Sequence, residues 1–559
     1  MLVALFVLSM CAVVSASNLL FFLFAWEVMS LVSYFLVVFE HEHESSIQAG
    51  TIYLVMTQIG TSFLLAAFLI MYARAGSFDF SAVKAAAVSF PAGLKNLLFI
   101  FLFVGFGVKA GVVPLHIWLP YAHPQAPSHV SSMMSGVMVK VAIYGMIRFI
   151  FVVLGIGQAW WGALVLALAG ISCVVGVIYA LMDNDIKKLL AYSTVENIGI
   201  ILLGVGAGMI LWHQGFEILA CAAIAASMYH IINHSVFKGL LFLCAGSIYS
   251  ATGTRDMEKL GALIKRMPQT AVCFLVAAMA ISAIPPLSGF VSEWLTFQVL
   301  FAAARENILG QRLLFTLAIT CLSLTSALAA ACFVKAFGIS FLGLPRSRHA
   351  CEAKEVSFGM RFAMIFLSIL TVGLGIFAGF VWKALLYVAR DLFKIQPVAG
   401  VLPTGGISID FPFSGVSLNV LLVTLVFAAS MAVVYMLVYA GRRRVRLIGK
   451  TWDCGYYQLT PRTQYSDTAF SKPFRVAFSF FLLPYRKSEK IRETFYHVKQ
   501  FTYETQTTSV FKRYLYQPLL RGIFNTAHRV KVFQMGSIHW YLGYIFVTLL
   551  LLMALSWYH

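Results

Sequence analysis

The recurrence of long apolar runs along the chain constrains its fold more than any other feature. A helix needs about 20 apolar residues to cross a bilayer, and about thirteen runs here approach or exceed that length. Hydrophobic residues make up 60% of the chain and charged residues only 11%, which excludes a soluble globular protein. We therefore predict an all-α, polytopic transmembrane helical bundle. The predicted spans are 2–16, 18–39, 50–73, 96–119, 128–155, 159–182, 193–212, 217–250, 268–303, 309–343, 358–389, 416–440 and 538–557.

The net charge of +19 indicates either contact with nucleic acid or basic loops on the cytoplasmic side of a membrane. We favour basic loops, because much of the Lys and Arg falls in alternate loops and in one stretch after residue 441. The more basic loops contain Lys187, Lys188, Arg255, Lys259, Lys265, Arg266, Arg346, Arg348 and Lys354. The positive-inside rule then predicts a cell-membrane protein with a cytoplasmic N-terminus and with His559 outside. We expect the lipid bilayer, and not nucleic acid, as its partner.

No sequence pattern typical of a bound cofactor or metal stands out. The nine cysteines are scattered singly, and no nucleotide-binding loop or nucleophile elbow is present. The loop EHEHESS at 40–46 offers carboxylates and imidazoles, but consecutive residues cannot all face one ion, so we interpret it as a hydrated loop near a proton entrance. We expect no metal and no cofactor in this chain, so that any redox chemistry takes place in other subunits.

Two lysines and a proline interrupt the apolar pattern between residues 105 and 148. Lys109 lies inside one apolar run, Pro114 breaks that run, and Lys140 lies inside the next. A lysine at bilayer depth costs about 2.5 to 3.5 kcal/mol on insertion scales, and a broken helix frees backbone groups that lipid cannot satisfy. A single lysine could extend to the interface and a proline could merely kink a helix. Their combination favours an internal, hydrated ion path.

The first ten spans divide into two similar sets of five. The fourth span of each set is broken by proline, at Pro114 in the first and at Pro285 and Pro286 in the second. Further pairs of ionisable residues match between the sets: Lys109 with Glu293, Glu27 with Glu196, and Lys140 with Lys335. Since five is odd, the second set must enter the membrane from the opposite side, which is the inverted repeat of many transporters.

The repeat predicts five regions along the chain. These are a first five-helix half-channel unit (1–155), a second, inverted unit (156–343), additional transmembrane helices (344–440), a basic cytoplasmic or interfacial segment (441–536) and a C-terminal transmembrane helix (537–559). Each unit is predicted to carry half of the ion path, because discontinuous helices mark the ion sites of repeat-built transporters.

A row of three ionisable residues occupies one helix face in the second set. His230, His234 and Lys238 are spaced at i, i+4 and i+8 in MYHIINHSVFKGLLFL, which places them above one another. Histidine titrates near neutrality and a buried lysine can lose its proton, so such a row can pass protons. The alternatives are a zinc pair or packed, hydrogen-bonded histidines; the neighbouring cation at Lys238 argues against zinc.

Several stretches together resemble one known family. They are WEVMSLVSYFLVVFE, VKAGVVPLHIWLPYAHPQAPSHVSSMMSGVMVKVAIYGMIR, MDNDIKKLLAYSTVENIGIILLG, HIINHSVFKGLLFLCAGS and PPLSGFVSEW. These resemble the antiporter-like, proton-translocating membrane subunits shared by respiratory complex I, Mrp-type cation/proton antiporters and membrane-bound [NiFe] hydrogenases. The segments APSHVSSMMSGVMVK and WDCGYYQLTPRTQYSDTAFSKP are most similar to the hydrogenase-4 and formate hydrogenlyase branch.

The resemblance implies a charged axis along the membrane centre. Glu27 resembles the family's essential glutamate, paired with Lys109 in the broken helix, and Lys140 resembles the residue that connects the two half-channels. His230, His234 and Lys238 resemble the central relay, and Glu293 the terminal residue. Lys335 and Glu196 come from the internal repeat alone.

The implied function is a non-catalytic, proton-translocating subunit of a membrane-bound [NiFe] hydrogenase. Nickel–iron and iron–sulfur centres are expected in partner subunits, and the expected partners are other membrane subunits and peripheral [NiFe] hydrogenase subunits. The alternatives are an Mrp-type antiporter subunit, a complex I subunit, and an assembly scaffold whose buried charges are only structural. The sequence leaves open whether H⁺ or Na⁺ is carried.

Two regions depart from the family pattern or lie outside the membrane. The family usually has about three helices before the one that starts at Leu2, so we expect a truncated or a shorter subunit. The portion from Phe474 to Phe524 mixes aromatic and basic residues. This composition predicts one or two interfacial amphipathic helices, and a solvated loop is the alternative. Members of the family that the chain resembles carry a long lateral helix at this position. No chemistry is assigned to Asp453 and Cys454.

Overall fold

The computed structural model describes residues 1–306, 309–395, 408–411, 416–440, 455, 459–492, 498–507, 509–531 and 536–557. These residues form two compact units, Met1–Lys472 and Pro473–His559. In the first unit, the helices of the first predicted set are α1 (Leu2–Ser15), α2 (Leu19–Val37), α3 (Glu44–Ala75), α4 (Phe80–Ala87), α5 (Ala92–Ala110), α6 (Leu119–Gln125), α7 (Ser128–Met133) and α8 (Val139–Met146), with π-helical turns at Met134–Met138 and Ile147–Val153.

The second set repeats this order of helices. It consists of α9 (Ala159–Met182), α10 (Ile186–His213), α11 (Glu217–Thr252), α12 (Pro268–Ile281), α13 (Ser288–Glu306) and α14 (Leu309–Phe341), with 3₁₀ turns at Met257–Lys259 and Leu263–Lys265. In both sets a break divides the fourth span, between α5 and α6 and between α12 and α13. The inverted orientation of the second set stays a prediction.

The remaining elements follow the two sets. They are α15 (Arg348–Glu352), α16 (Phe358–Ile376), α17 (Ala378–Phe393), strands β1 (Ser408–Phe411) and β2 (Val416–Asn419), α18 (Val420–Tyr439), a 3₁₀ turn (Pro461–Thr463), α19 (Asp467–Ala477), α20 (Ser479–Leu482), strands β3 (Pro484–Arg492) and β4 (Val498–Thr507), a π-helical turn (Lys512–Tyr516), α21 (Gln517–Lys531) and α22 (Ile538–Trp557). Each strand pair is antiparallel.

The multi-pass helical membrane fold is confirmed. Among the described residues, 11 helical segments are long and apolar enough to cross a membrane, and each corresponds to one predicted span. The two other predicted spans are shorter or divided: α1 ends at Ser15, and the span predicted at 268–303 is split into α12 and α13. The chain is therefore an integral, multi-pass membrane protein.

Two predicted elements were wrong in detail. The single span at 358–389 is two helices, because α16 ends in a glycine-containing stretch before Phe377 and the polar residues begin within α17. The portion 474–524 contains the β3–β4 hairpin between α20 and α21; β-branched and aromatic residues alternate with polar ones in VKQFTYETQT, and this two-residue period favours a strand. Asp453 and Cys454 lie outside the described residues.

Close packing of α9 against α10 forms the centre of the compact unit Met1–Lys472. A Cβ atom added to Gly199 would lie 2.6 Å from the backbone nitrogen of Cys173, and one added to Gly206 would lie 2.7 Å from that of Leu166. Only glycine permits this approach, which is typical of helix contacts in membranes. The membrane-spanning window of α10 is entirely buried, so its polar residues face protein.

Candidate functional site

The break in the fourth span places Lys109 at the end of a helix inside the protein. Gly111 caps α5 in the left-handed conformation (φ 81°), which glycine adopts without steric cost. The backbone amide of Val113 donates to Ser172 Oγ (3.1 Å), and Trp118 Nε1 donates to the carbonyl of Val108 (2.7 Å). These side chains satisfy backbone groups that the break frees, as a membrane interior requires.

The Lys109 ammonium is held by hydroxyl groups and aromatic rings. Its Nζ donates to Ser30 Oγ (2.9 Å) and to Tyr53 Oη (2.7 Å), and it lies 5.9 Å from the centre of the Trp26 ring. Tyr53 Oη in turn lies 2.5 Å from Ser33 Oγ. The side chain is 1% exposed. Neutral acceptors and ring faces can hold an ammonium without a permanent countercharge.

Glu27 does not form the expected ion pair with Lys109 in this structure. Glu27 Oε2 accepts a hydrogen bond from Gln58 Nε2 (2.8 Å), and Glu27 Oε1 is buried with no hydrogen-bond partner among the described residues. The Glu27 side chain is only half-buried, whereas Lys109 lies deep in the bundle. Ser30, one helical turn after Glu27 on α2, is the residue that contacts the lysine.

Lys140 follows a π-helical turn in the fifth span. Its Nζ donates to the carbonyl of Ser135, five residues earlier, and Ser135 Oγ lies 2.7 Å from Thr194 Oγ1 on α10. A π-helical turn leaves carbonyl groups without their usual helical partner and is frequent at functional sites. The turn thus provides the acceptor for a buried cation.

His230 and His234 lie side by side on α11, as their spacing predicted. The His230 and His234 rings are parallel, with centres 6.3 Å apart. His230 Nδ1 lies 3.0 Å from Ser292 Oγ and its Nε2 lies 3.2 Å from Asn197 Oδ1. Neither ring nitrogen of His234 has a partner among the described residues. The two histidines are therefore differently held, although both are buried.

Lys238 and the two glutamates complete the second half of the site. Lys238 Nζ donates to Ser193 Oγ (2.5 Å) on α10, and Glu196 lies one turn further along the same helix, buried, with Oε2 lacking a partner among the described residues. Glu293 on α13 accepts a hydrogen bond from Ser326 Oγ (2.6 Å). Lys238 and Glu293 therefore each have a hydroxyl partner, whereas Glu196 Oε2 is buried without a partner among the described residues.

Lys335 makes different contacts from the other predicted residues. Its Nζ lies 2.9 Å from Asp467 Oδ1, and both side chains are fully buried. It also donates to the carbonyls of Leu181 (2.9 Å) and Asp183 (2.7 Å), at and just beyond the C-terminus of α9. The lysine thus joins the end of α9 to the start of α19.

The comparisons with known proteins identify the family of this chain. Residues 16–320 match the family described as "NADH:quinone oxidoreductase/Mrp antiporter, TM". The chain belongs to this family. It is 39% identical to hydrogenase-4 component B of Escherichia coli over 98% of this chain and 81% of that protein, and 33% identical to formate hydrogenlyase subunit 3 of the same organism over 80% and 69%.

A solved structure shares the fold of this family member over almost its whole length. It belongs to the membrane-bound sulfane sulfur reductase, an archaeal respiratory membrane complex, with a TM-score of 0.78 and 27% sequence identity over 98% of this chain and 83% of that one. The resemblance drawn from the sequence motifs to the antiporter-like family is therefore confirmed. The individual roles of the charged residues stay predictions.

Sequence reasoning missed the polar neighbours of the charged residues. These are Ser30, Tyr53, Ser193, Asn197, Ser292 and Ser326. Hydroxyl and amide groups occur in many membrane helices, so their presence alone carries little information. A distance of about one helical turn from a charged residue is the signal that identifies two of them: Ser30 lies three residues after Glu27, and Ser193 lies three residues before Glu196.

His123 is a further buried residue of this antiporter-family chain that the predicted set lacked. Its ring packs 5.2 Å from the Phe242 ring, and neither nitrogen has a partner among the described residues. It interacts electrostatically with Lys238, Lys187 and Lys140. The motif YAHPQAPSH contains it, but a histidine beside prolines also suits an ordinary loop.

A cavity of about 390 Å³ opens at the end of the bundle near His123. Glu40, His129, Lys187 and Arg255 contribute to its lining. Lys187 Nζ donates to the carbonyl of Ala126 (2.8 Å) and is 3% exposed. The loops at this end are the more basic ones, for which the positive-inside rule predicts a cytoplasmic location.

Proposed function

We propose that this chain is the proton-translocating, non-catalytic membrane subunit of a membrane-bound [NiFe] hydrogenase complex of the hydrogenase-4 or formate hydrogenlyase type. The observation that carries the proposal is the succession of buried ionisable side chains in both helix sets, each beside a hydroxyl, amide or carbonyl group: Lys109, Lys140, His230, Lys238 and Glu293. Ionisable residues inside a membrane are costly and mark ion pathways. The names of the two Escherichia coli relatives support the choice of complex.

The proposal extends to partners and placement. Other membrane subunits and peripheral [NiFe] hydrogenase subunits are the expected partners, and the nickel–iron and iron–sulfur centres belong to those partners. The chain lies in the cell inner membrane with its N-terminus in the cytoplasm. The half-buried Glu27 suits contact with a neighbouring membrane subunit, because it is the residue of the charged set that reaches the surface of this chain.

In the proposed mechanism, protons enter through the cavity lined by Glu40, His129 and Lys187. His123 lies next to Pro124, which lines this cavity, and its ring packs against Phe242; it passes the proton inward. Histidine suits this step because either ring nitrogen can bind or release the proton.

Movement of Glu27 controls the proton on Lys109. When Glu27 approaches Lys109, an opposite charge within about 4 to 6 Å favours the protonated amine. When Glu27 accepts a hydrogen bond from Gln58, as in this structure, the ammonium is held by Ser30, Tyr53 and the Trp26 ring. Redox chemistry in the partner subunits supplies the charge displacement that moves Glu27. Because coupling between two sites is reciprocal, a proton gradient would also influence the partner chemistry.

Variants in the intact complex test the transport function. Glu27→Gln and Lys109→Ala are expected to abolish proton translocation, measured as acidification of inverted membrane vesicles, while the complex still assembles. Lys354→Ala, on an exposed surface, is the matched control and should transport normally. Normal pumping by both buried-site variants would contradict the proposal and favour an assembly scaffold.

The composition of the complex tests the choice among family branches. The chain is isolated from its native membrane in mild detergent, and the accompanying proteins are analysed for metals and flavin. Nickel together with iron and sulfide supports the hydrogenase assignment. Flavin mononucleotide with iron but no nickel would point to a complex I subunit, and companions without a redox cofactor would point to an Mrp-type antiporter.

A further inference from the structure

A second cavity, of about 340 Å³, lies at the other end of the bundle from the cavity that contains Lys187. Helix α10 connects the two ends, because Lys187 in its first turn lines one cavity and Trp212 in its last turn lines the other. At 1.5 Å per residue these positions are about 38 Å apart along the helix, which is close to the thickness of a bilayer with its headgroups. The second cavity therefore lies at headgroup level.

Three lysines line this cavity. Lys84 is on α4, Lys95 is in the first turn of α5, and Lys394 caps α17. None of them forms an ion pair with a described residue, and no described carboxylate lines the cavity. Three cations around one space, with no acid to balance them, produce a site that attracts an anion.

The rest of the wall is apolar and aromatic. The Phe393 ring stacks on Trp212 with centres 4.3 Å apart, and Phe151 contacts Phe393 edge-on at 5.9 Å. Val88 also lines the cavity and is 82% exposed, so the cavity is accessible from outside the chain. Aromatic rings beside basic residues are typical of the membrane interface.

We propose that this cavity binds the phosphate headgroup of an anionic phospholipid. The three lysines hold the phosphate oxygens, and the apolar wall packs against the upper part of the acyl chains. A lipid suits the site better than a soluble anion, because the cavity combines positive charge with apolar surface at headgroup level. The inference is independent of the transport function.

A bound lipid would join separate parts of the compact unit Met1–Lys472. Lys84, Lys95 and residues 151–155 belong to the first helix set, Trp212 belongs to the second, and Lys394 follows α17. One phosphate in contact with all three lysines would cross-link these elements at this end of the bundle. Lipid binding should therefore stabilise the chain against unfolding, since a ligand that binds only the folded state raises its stability.

The test compares lipids and lysines in the purified complex. After delipidation, the complex is placed in nanodiscs of phosphatidylcholine alone or with phosphatidylglycerol, and thermal unfolding and bound lipid are measured, the latter by mass spectrometry. We expect phosphatidylglycerol to raise the melting temperature and to remain bound to the wild type. An attraction of about 1 kcal/mol per lysine predicts roughly a fivefold loss of lipid affinity in Lys394→Gln and about a hundredfold loss in the triple variant Lys84→Gln, Lys95→Gln and Lys394→Gln.

Two controls make the result specific. The triple variant Lys259→Gln, Lys265→Gln and Lys354→Gln removes the same charge elsewhere and should bind lipid like the wild type. If the triple cavity variant fails to fold, the exposed Lys394→Gln variant provides the measurement. Equal lipid retention in the cavity variants and the wild type would overturn the proposal. So would an equal stabilisation by inorganic phosphate alone, which would indicate a soluble-anion site.

Discussion

Lys335 and Asp467 form an ion pair in which both side chains are fully buried, with Nζ and Oδ1 2.9 Å apart. The pair fastens residues 459–472 to the second helix set. Neighbouring contacts support the same attachment: Gln464 bonds to both backbone groups of Leu344, and the amide of Thr468 donates to Glu258 Oε1 (2.7 Å). The internal repeat matched Lys335 with Lys140 on the proton path, and that role stays a prediction; the contacts of Lys335 also suit a structural anchor.

A double-mutant cycle separates these two roles. Removing one partner of a buried pair leaves an uncompensated charge and typically costs about 3 to 5 kcal/mol, whereas replacing both by apolar residues is often neutral. We therefore expect Lys335→Met and Asp467→Leu each to lower the thermal stability of the complex, and the double variant to recover most of it. If Lys335 is only a structural anchor, the stable double variant should transport protons normally. Loss of transport in that variant would place Lys335 on the proton path.

The attachment through Asp467 should depend on pH. Burial raises the pKa of the Asp467 carboxyl to about 6, against the opposing effect of Lys335, and Glu258 and Asp183 raise it further. The free carboxyl titrates near 3.9, so the attached state binds a proton more tightly. Its extra stability is complete below about pH 4 and is lost as the pH rises through about 6.

Limited proteolysis of residues 459–472 measures this dependence. Cleavage in the wild type should accelerate between pH 4 and 6 and then level off, after correction for the protease's own pH profile. Asp467→Asn cannot ionise, so its cleavage rate should be flat over this range. A similar slope in both proteins would assign the effect to another group.

The sequence predicted the membrane spans well because composition decides them: an apolar run of sufficient length has no other stable placement in a bilayer. It also located Lys109 and Lys140, because a charge inside such a run is conspicuous. The partners of these lysines could not be predicted. The contact between Lys335 and Asp467 joins residues far apart in the chain, and no local pattern encodes it.

The β3–β4 hairpin shows a different limit of prediction from the sequence. Aromatic and basic residues between 484 and 507 resemble an interfacial helix in composition, and only their alternation distinguishes a strand. Similarly, Glu27 accepts a hydrogen bond from Gln58 instead of pairing with Lys109. A sequence motif identifies both residues but does not specify which of two arrangements they adopt.

Tyr53 should position the Lys109 ammonium. Tyr53→Phe removes one of the two hydroxyl acceptors of Lys109. Hydrogen bonds to charged groups contribute about 1.5 to 3 kcal/mol, so we expect proton translocation in vesicles to fall about tenfold or more while assembly is unchanged. Tyr229→Phe is the matched control, since this buried hydroxyl donates to the carbonyl of Leu374 and also bonds to Asn233, whereas the described hydrogen-bond partners of Lys109 are Ser30 and Tyr53. Equal losses in both variants would contradict a specific role for Tyr53.

The two histidines on α11 should respond differently to the same substitution. His230 contacts Ser292 and Asn197 through its ring nitrogens, so His230→Leu loses two hydrogen bonds. Asn197 Oδ1 then loses this partner, whereas Ser292 Oγ keeps the carbonyls of Ser288 and Gly289. We expect His230→Leu to lower the free energy of unfolding by about 1 to 3 kcal/mol. His234→Leu breaks no hydrogen bond to a described residue and should leave stability unchanged or raise it.

Both substitutions should nevertheless reduce proton translocation, because leucine cannot carry a proton at either position. Thermal unfolding and vesicle acidification, measured on the same preparations, separate the two effects. A stable His234→Leu variant without transport would identify a residue retained for proton transfer at no benefit to folding. Full transport in that variant would remove His234 from the path and leave Asn197, His230 and Ser292 as the route between α10 and α13.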